Sequence, residues 1–121
     1  MTKTERQIIF LQDFCGLILQ AKELNIKVIM FDFIRTAQQQ AKRYTKGRRG
    51  IPGEKIITQC DGYKKKSKHQ GKLAGDLAII INGRITWNPD DGYKILGEIW
   101  KSMNHRWGGD FSFKDYCHFE A

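Results

Sequence analysis

Two histidines and two aspartates lie in two short stretches whose spacing suits metal chemistry. The first stretch holds His69 and Asp76, and the second holds Asp115 and His118 near the C-terminus. The imidazoles of His69 and His118 and the carboxylate of Asp76 suit a divalent metal such as zinc and leave a fourth position open for water. Asp115 is then free to act as a base toward that water. The four residues therefore predict metal-dependent hydrolysis.

Spacing alone is a weak signal in a chain with 3 His and 13 acidic residues, but the residues around these four form a longer pattern. Its members are Ser67, His69, Ala74, Asp76, Trp107, Gly108, Gly109, Asp115, His118 and Phe119. In this pattern the chain resembles the metallopeptidases of peptidoglycan, the family of the D-alanyl-D-alanine carboxypeptidases and dipeptidases and the phage L-alanyl-D-glutamate endopeptidases. Lys72 departs from the family, which usually has glycine there, so we expect the turn between the first two ligands to be built differently.

The resemblance implies a fold and a metal. The fold is α+β, a small antiparallel sheet with helices packed around it and a zinc site in a cleft at the sheet, as in Hedgehog and D-Ala-D-Ala peptidase domains. One Zn²⁺ ion is implied, held by His69, Asp76 and His118. Asp115 is implied to take a proton from the attacking water and to return it to the leaving amine.

The resemblance also implies an activity, the hydrolysis of an amide bond in the peptide stem of peptidoglycan. The short domain, the Asp ahead of the final His and the apparent lack of a signal peptide favour an L-alanyl-D-glutamate endopeptidase of the phage endolysin type. A D-alanyl-D-alanine carboxypeptidase is the alternative. A relative of these enzymes that has lost its activity is a further possibility.

A second segment, with Arg35, Thr36 and Gln40, follows a predicted strand and is similar to another recurring segment of the family. By that resemblance Arg35 reaches the metal site and stabilises the oxyanion that forms as water attacks the amide. A guanidinium suits this role because it stays charged and offers several fixed donors. Gln40 is predicted to bind substrate. Without the resemblance, Arg35 is simply a surface residue at the start of a helix.

Three further residues are predicted to bind substrate or to line the cleft, namely Ser67, His105 and Trp107. We expect Ser67 to support a ligand or the loop through its hydroxyl rather than to act as a nucleophile, since the metal supplies one. His105 is an alternative metal ligand, but it lies outside the matched pattern. Cys117 is beside His118, yet neighbours on an extended segment point to opposite sides, so we do not expect it to bind metal.

Length and composition indicate one folded domain. A chain of 121 residues, 40% hydrophobic and 28% charged, suits a single catalytic domain over residues 1–121 with no separate cell-wall-binding domain. We expect a monomer with reduced cysteines, since the 3 Cys include no Cys-x-x-Cys pair. The N-terminus lacks the features of a signal peptide, and no apolar run suits membrane insertion. We therefore expect cytoplasmic synthesis and action on the cell wall after release, in phage or prophage lysis.

The net charge of +8 indicates an anionic partner. The anionic polymers of the cell wall are one candidate. A small nucleic-acid-binding module using the basic residues 42–72 is a hypothesis of another class. It is disfavoured because no stacking set of aromatic residues is interleaved with the basic residues and no nucleic-acid-binding motif is present.

Helical spacing predicts a first helix up to about Leu24, with a capping box at residues 4–7 and a stop at Asn25. The residues predicted to form its buried stripe are Ile8, Leu11, Cys15, Ile18 and Leu19. A strand is predicted over residues 27–34, a capped helix from Thr36 to about Tyr44, and a long basic loop over residues 45–66. Residues 76–87 predict a hairpin with an Asn-Gly turn, and Asn88 predicts the start of the last helix.

Overall fold

A five-stranded antiparallel sheet and three α-helices make up the computed structural model, which describes residues 1–121. The helices are α1 (Lys3–Glu23), α2 (Ala37–Thr45) and α3 (Tyr93–Ser102). The strands are β1 (Lys27–Asp32), β2 (Ala74–Ile81), β3 (Arg84–Thr86), β4 (Arg106–Trp107) and β5 (His118–Glu120). The predicted α+β fold with a small antiparallel sheet is confirmed. None of the helices combines the length and the apolar character needed to cross a membrane.

Strand β2 is the centre of the sheet. Strand β1 pairs along one side of it, while β5 pairs with its first residues and β3 with its last ones on the other side. Strand β4 extends the sheet beyond β5. This register places Asp76 of β2 directly opposite His118 of β5, and Asp32 of β1 opposite Asp76. Three strands thus bring residues that are far apart in sequence to one place.

The core forms where α1 and α3 pack on the sheet. Its largest members are aromatic, with Phe10 and Phe14 of α1 both meeting the ring of Trp100 of α3 edge-on. Phe119 of β5 also packs on Trp100, and Leu77 of β2 is buried in the same cluster. Each such fully buried apolar side chain contributes about 1.5–3 kcal/mol to folding. The core therefore fixes the two strands that carry Asp76 and His118.

The face that α1 buries differs from the predicted one. Its buried residues are Phe10, Phe14, Leu17 and Ala21. Of the stripe predicted to be buried, Ile8, Leu11, Cys15 and Leu19 are exposed. The helix is apolar on two sides, and the side with two phenylalanines is buried because its rings fit against Trp100. The predicted capping box was also misplaced, since Thr2 and Glu5 form it.

Local signals elsewhere gave correct predictions. Thr36 and Gln39 form the capping box of α2. The hairpin turn has Asn82 and Gly83 in the left-handed region, with φ values of 52° and 75°, as an Asn-Gly turn requires. Asn88 caps a short 3₁₀ helix (Pro89–Asp91), and α3 begins only after Gly92. Residues 46–73 contain no helix or strand, so the loop is longer than predicted.

Two glycines inside helices provide a matched test of the core. A Cβ atom at Gly97 of α3 would lie 2.2 Å from the ring of Trp107, whereas one at Gly16 of α1 would meet only Met103, at 3.8 Å. We expect Gly16→Ala to stabilise the protein by about 0.5–1 kcal/mol through helix propensity. Gly97→Ala should instead destabilise it by about 1–3 kcal/mol through overpacking. Urea unfolding measures both, and equal effects of the two substitutions would contradict this packing.

Candidate metal centre

The structure brings together the three residues predicted as metal ligands. The candidate ligand atoms of His69, Asp76 and His118 all lie within 4.8 Å of one another. All three side chains are buried, with exposed fractions of 3%, 6% and 8%. Asp76 and His118 face each other across the sheet, while His69 comes from the turn that precedes β2. The site therefore combines two rigid strands with one tight turn.

A backbone carbonyl orients His69. Its Nδ1 atom lies 2.9 Å from the carbonyl oxygen of Phe33. Because a carbonyl only accepts hydrogen bonds, Nδ1 carries the proton and Nε2 keeps its lone pair. Nε2 lies 3.4 Å from Oδ1 of Asp76, inside the cluster. The lone pair of His69 is thus directed toward the place where a cation would sit.

The turn between the first two ligands closes despite its unusual residue. Lys72 adopts a left-handed φ of 57°, a conformation that glycine takes without steric cost and that costs other residues roughly 1–2 kcal/mol. The amide of Leu73 still donates to the carbonyl of Lys68 at 3.0 Å, and that of Lys72 to the carbonyl of His69 at 3.3 Å. The substitution therefore costs some stability, but the turn still delivers His69 to the cluster.

His118 lies between two carboxylates. Its Nδ1 atom is 3.0 Å from Oδ1 of Asp76, and its Nε2 atom is 2.8 Å from Oε1 of Glu120. Glu120 is itself buried and forms a salt bridge with Arg106 at 3.3 Å. By accepting a hydrogen bond from Nε2, Glu120 leaves Nδ1 as the nitrogen that can bind a cation. Glu120 thus occupies the position of the carboxylate that orients a metal-binding histidine.

Sequence reasoning missed Glu120, although a signal for it was present. Residues two apart on a strand point to the same face, so a carboxylate two positions after a proposed ligand shares its side of β5. The sequence pattern treated Glu120 only as a C-terminal neighbour. Strand alternation from His118 would have identified it.

The charges in the metal centre shift the pKa values of Asp76 and His118. Burial alone raises the pKa of Asp76, but the hydrogen bonds from His118 and His69 outweigh it and lower the pKa to about 2. Burial likewise disfavours the charged form of His118, but Asp76 and Glu120 raise its pKa to about 9. With no cation bound, a ring flanked in this way holds a proton on both nitrogens at neutral pH. A metal ion must therefore displace a proton from Nδ1.

The donor set fits a divalent cation. Two imidazole nitrogens and one carboxylate oxygen are ligands that zinc and similar ions prefer, and three protein ligands leave an open position. The orientation of both imidazoles is fixed, by the Phe33 carbonyl for His69 and by Glu120 for His118. The chemistry and the geometry of these side chains therefore suit a divalent cation with an open coordination position.

Asp115, the predicted base, lies in the loop that leads into β5. Its amide donates to the carbonyl of Gly108 at 2.9 Å, and its own carbonyl accepts from the amide of His118 at 3.1 Å. Its carboxylate accepts a hydrogen bond from the Cys117 thiol, with Sγ 3.4 Å from Oδ1. Burial, together with the charges of Asp76 and Asp115, raises the pKa of that thiol. Cys117 therefore stays protonated at neutral pH, and a thiol is a poor metal ligand.

Arg35 is buried beside the centre. Its guanidinium forms a salt bridge with Asp32 and donates to Oε1 of Gln40 at 2.6 Å. Its backbone amide donates to the carbonyl of His69 at 3.3 Å. Since Asp32 is the cross-strand neighbour of Asp76, the guanidinium is tied to β1 beside the strand that carries a candidate ligand.

The prediction that Gln40 contacts substrate is not supported. The residue is fully buried, so its side chain has no surface to offer a substrate. It accepts from Arg35 and donates to Oγ1 of Thr58 and to the carbonyl of Cys60. Gln40 instead joins the Arg35 side chain to the loop at residues 58–60.

His105 and Trp107 also differ from their predicted roles. His105 stacks on Trp100 with ring centroids 4.3 Å apart, and its Nε2 lies 2.7 Å from Asp13 of α1. Trp107 is 5% exposed and donates from its indole to the carbonyl of Tyr116 at 2.9 Å. Both side chains belong to the core and its margin, so the structure gives no support to the predictions that they bind substrate.

Ser67 keeps a hydroxyl that the fold does not use. Its Oγ atom is buried and has no hydrogen-bond partner. The turn is held instead by its backbone amide, which donates to Oε1 of Gln70 at 2.9 Å. The prediction that the Ser67 hydroxyl supports the loop was therefore wrong. A buried hydroxyl without a partner costs about 1–3 kcal/mol, and a hydrogen-bonding group brought to it would recover this.

Two cavities border the centre. The Asp115 cavity, of about 690 Å³, is lined by Asp115 and Asp110 and by the apolar side chains of Ile56, Ile57, Phe111 and Phe113. The Arg35 cavity, of about 440 Å³, lies between the end of β1 and α2. Its lining includes Phe31, Asp32, Arg35, Lys42, Arg43 and Lys46. The two residues predicted for catalysis, Asp115 and Arg35, therefore line cavities of different character.

Comparisons with known proteins agree with this geometry. A family model described as D-alanyl-D-alanine carboxypeptidase matches residues 61–121, half of the chain, including the three cluster residues and Asp115. The crystal structure of the Serratia marcescens L-Ala D-Glu endopeptidase ChiX has a TM-score of 0.65 to this chain at 19% sequence identity. That likeness, which covers 90% of this chain and 77% of the other, shows a shared fold. A comparison with curated protein sequences gives no match.

The position of Glu120 predicts its effect on metal binding. We expect Glu120→Ala to weaken zinc affinity by about 10- to 100-fold, because His118 loses the carboxylate that orients it. Competition with a chromophoric chelator measures the affinity. Glu98→Ala, an exposed carboxylate of α3, is the matched control and should change nothing. Unchanged zinc affinity in Glu120→Ala would show that Glu120 does not orient His118 for metal binding.

The raised pKa of His118 predicts proton release on metal binding. Below its pKa of about 9 the ring holds the proton that a cation must displace. Zinc added to chelator-treated protein at pH 7 should therefore release about one proton per ion, and affinity should fall as pH falls. Titration calorimetry in two buffers with different ionisation enthalpies counts the protons. Binding without proton release would contradict the assignment of His118 Nδ1 as a ligand.

Proposed function

We propose that this chain, which belongs to the D-alanyl-D-alanine carboxypeptidase family of peptidoglycan metallopeptidases, is a zinc-dependent endopeptidase that cleaves between L-alanine and D-glutamate in the peptide stem. The observation that carries the proposal is the meeting of His69, Asp76 and His118 at one buried point. Three ligands with an open fourth position are what a hydrolytic zinc ion uses.

In the proposed mechanism, His69, Asp76 and His118 hold the ion. When bound, zinc supplies Lewis acidity, which lowers the pKa of a water molecule from about 15.7 toward about 7. The carboxylate of Asp115 accepts a proton from the attacking water and passes it to the leaving amine nitrogen as the C–N bond breaks. The guanidinium of Arg35 stabilises the negative charge on the substrate carbonyl oxygen.

The two cavities favour an endopeptidase. An endopeptidase must hold several residues on both sides of the scissile bond, whereas a carboxypeptidase needs room for only one residue after it. The Asp115 cavity and the Arg35 cavity, with volumes of about 690 and 440 Å³, are lined by the two residues proposed for catalysis and leave room for substrate beside each. The activity of the structural relative, an L-Ala D-Glu endopeptidase, supports the same choice. Carboxypeptidase activity is the alternative, and the family description supports it.

The setting of this activity is also a proposal. We propose a monomer whose residues 1–121 form one catalytic domain and which acts on the wall after release in phage or prophage lysis. The net charge of +8 supports attraction to anionic wall polymers. Attraction of this kind is screened by salt, so wall binding should weaken as ionic strength rises.

Two substitutions separate the metal ligands from the base. Asp115→Ala should keep stoichiometric zinc but lose about 10²- to 10⁴-fold in kcat, since the proton acceptor is gone. His118→Ala should lose the zinc itself. Metal analysis by mass spectrometry and a peptide cleavage assay measure both properties, with circular dichroism as the control for folding. Stoichiometric zinc in His118→Ala would disprove the ligand assignment.

The bond that is cleaved decides between the two activities. Digestion of purified peptidoglycan by the zinc-loaded protein should expose new amino-terminal glutamate, without release of free alanine. Labelling of the new amino groups, followed by hydrolysis and chiral chromatography, identifies the residue. Release of free D-alanine as the sole product would establish the carboxypeptidase instead. Absence of any new amino group would reject both.

A further inference from the structure

The Arg35 cavity has an excess of positive charge that the mechanism above does not use. Lys42 and Arg43 of α2, and Lys46 just after its end, are exposed along its wall, and none of them forms a salt bridge. The nearest acidic groups are engaged elsewhere. Asp32 is paired with Arg35, and Glu54, whose pKa the charge of Lys46 helps to lower, is paired with Arg49. Three cations therefore face the cavity without a partner.

These cations lie on one side of α2. Residues three and four apart on a helix are neighbours on its surface, so Gln39, Lys42, Arg43 and Lys46 form one continuous face. The opposite wall is apolar, with Phe31 and Ile34 at the end of β1, and their side chains are 52% and 55% exposed. A cavity with an apolar wall and a cationic wall suits an acyl chain or peptide that carries a negative group.

Two contacts connect the cavity wall to residues of the metal centre. Asp32, in its wall, is the cross-strand neighbour of Asp76, and such neighbours have Cα atoms about 4.5–5.5 Å apart. Arg35, in the same wall, is bonded through its backbone amide to the carbonyl of His69. An extended peptide advances about 3.3–3.6 Å per residue. The part of the cavity beside Asp32 is therefore within the span of one or two extended residues from Asp76.

The other cavity has the opposite character. The Asp115 cavity carries the carboxylates of Asp115 and of Asp110, which is paired with Lys101, and its one cation, Arg106, is paired with Glu120. Its rim is apolar, formed by Ile56, Ile57, Phe111 and Phe113. A negatively charged group would be repelled there. A substrate with a charged half and an apolar half would thus be oriented by the two cavities.

We infer that the Arg35 cavity binds the carboxylate of the glutamate that follows the scissile bond and so sets the direction of the substrate. This inference rests on the proposed function. Glutamate has two carboxyl groups, and only one of them joins the next residue of the stem, so the other remains an anion beside the cleaved amide. Lys42, Arg43 and Lys46 receive that anion, and the alanine side of the bond occupies the Asp115 cavity.

A pair of synthetic stem peptides tests the inference. They differ only at the glutamate, which carries a free carboxylate in one peptide and a carboxamide in the other. In Lys42→Gln/Lys46→Gln, KM for the acid peptide should rise roughly three- to tenfold, in keeping with about 0.2–1 kcal/mol for each exposed ion pair lost. Its kcat should stay within about twofold, and both constants for the amide peptide should be unchanged. Lys22→Gln, on α1, is the matched control.

The outcomes separate this inference from the proposed function. The inference alone is overturned if the wild-type protein cleaves both peptides and the double variant shows the same KM change for both peptides, or no KM change for either. A selective rise of KM for the acid peptide supports it, and 0.5 M salt should then abolish the wild-type preference for that peptide. Failure of the wild-type protein to cleave either peptide overturns the proposed function and the inference together.

Discussion

The pairing of Asp76 with His118 across β2 and β5 is the contact on which the site is built. A carboxylate buried between two imidazoles is stable only because each charge has a partner, and removing one partner of such a pair costs about 3–5 kcal/mol. The strand register puts the two residues opposite each other, and His69 closes the group from the preceding turn. The aromatic core around Trp100 and Phe119 holds that register. Folding energy thus positions the ligands before any cation binds.

A second layer of contacts gives each group one orientation. The Phe33 carbonyl and Glu120 fix the two imidazoles, while Asp32 and the fully buried Gln40 fix the guanidinium of Arg35. Preorganised groups of this kind avoid the cost of reorganisation during the reaction. Two of these residues, Asp32 and Arg35, also line the Arg35 cavity. Residues that support the proposed chemistry therefore also line the cavity that is proposed to select the substrate.

The sequence predicted the parts that depend on local chemistry or on motif spacing. Asn82 and Gly83 specify their turn by backbone preference, and Thr36 specifies a helix start. The three clustered residues were identified from their types, their spacing and a family resemblance. The buried face of α1 could not be predicted by periodicity, because that helix has two apolar faces and only the partner Trp100 decides between them.

The sequence also gave poor predictions of roles that depend on whether a side chain is buried. Gln40 and Trp107 belong to recurring segments, and such residues serve the fold as often as the substrate. Only the structure reveals that both are enclosed. Glu120 was missed for the converse reason, because its importance comes from strand alternation with His118 rather than from the motif.

The local environment of the bound metal tests the central claim most directly. X-ray absorption at the zinc edge, on protein loaded with one ion per chain, reports ligand type and distance. We expect only nitrogen and oxygen ligands at about 2.0–2.2 Å, including two imidazoles. Sulfur at about 2.3 Å would mean that Cys117 is a ligand, and fewer than two imidazoles would mean that His69 or His118 does not hold the ion. Either result would contradict the site described above.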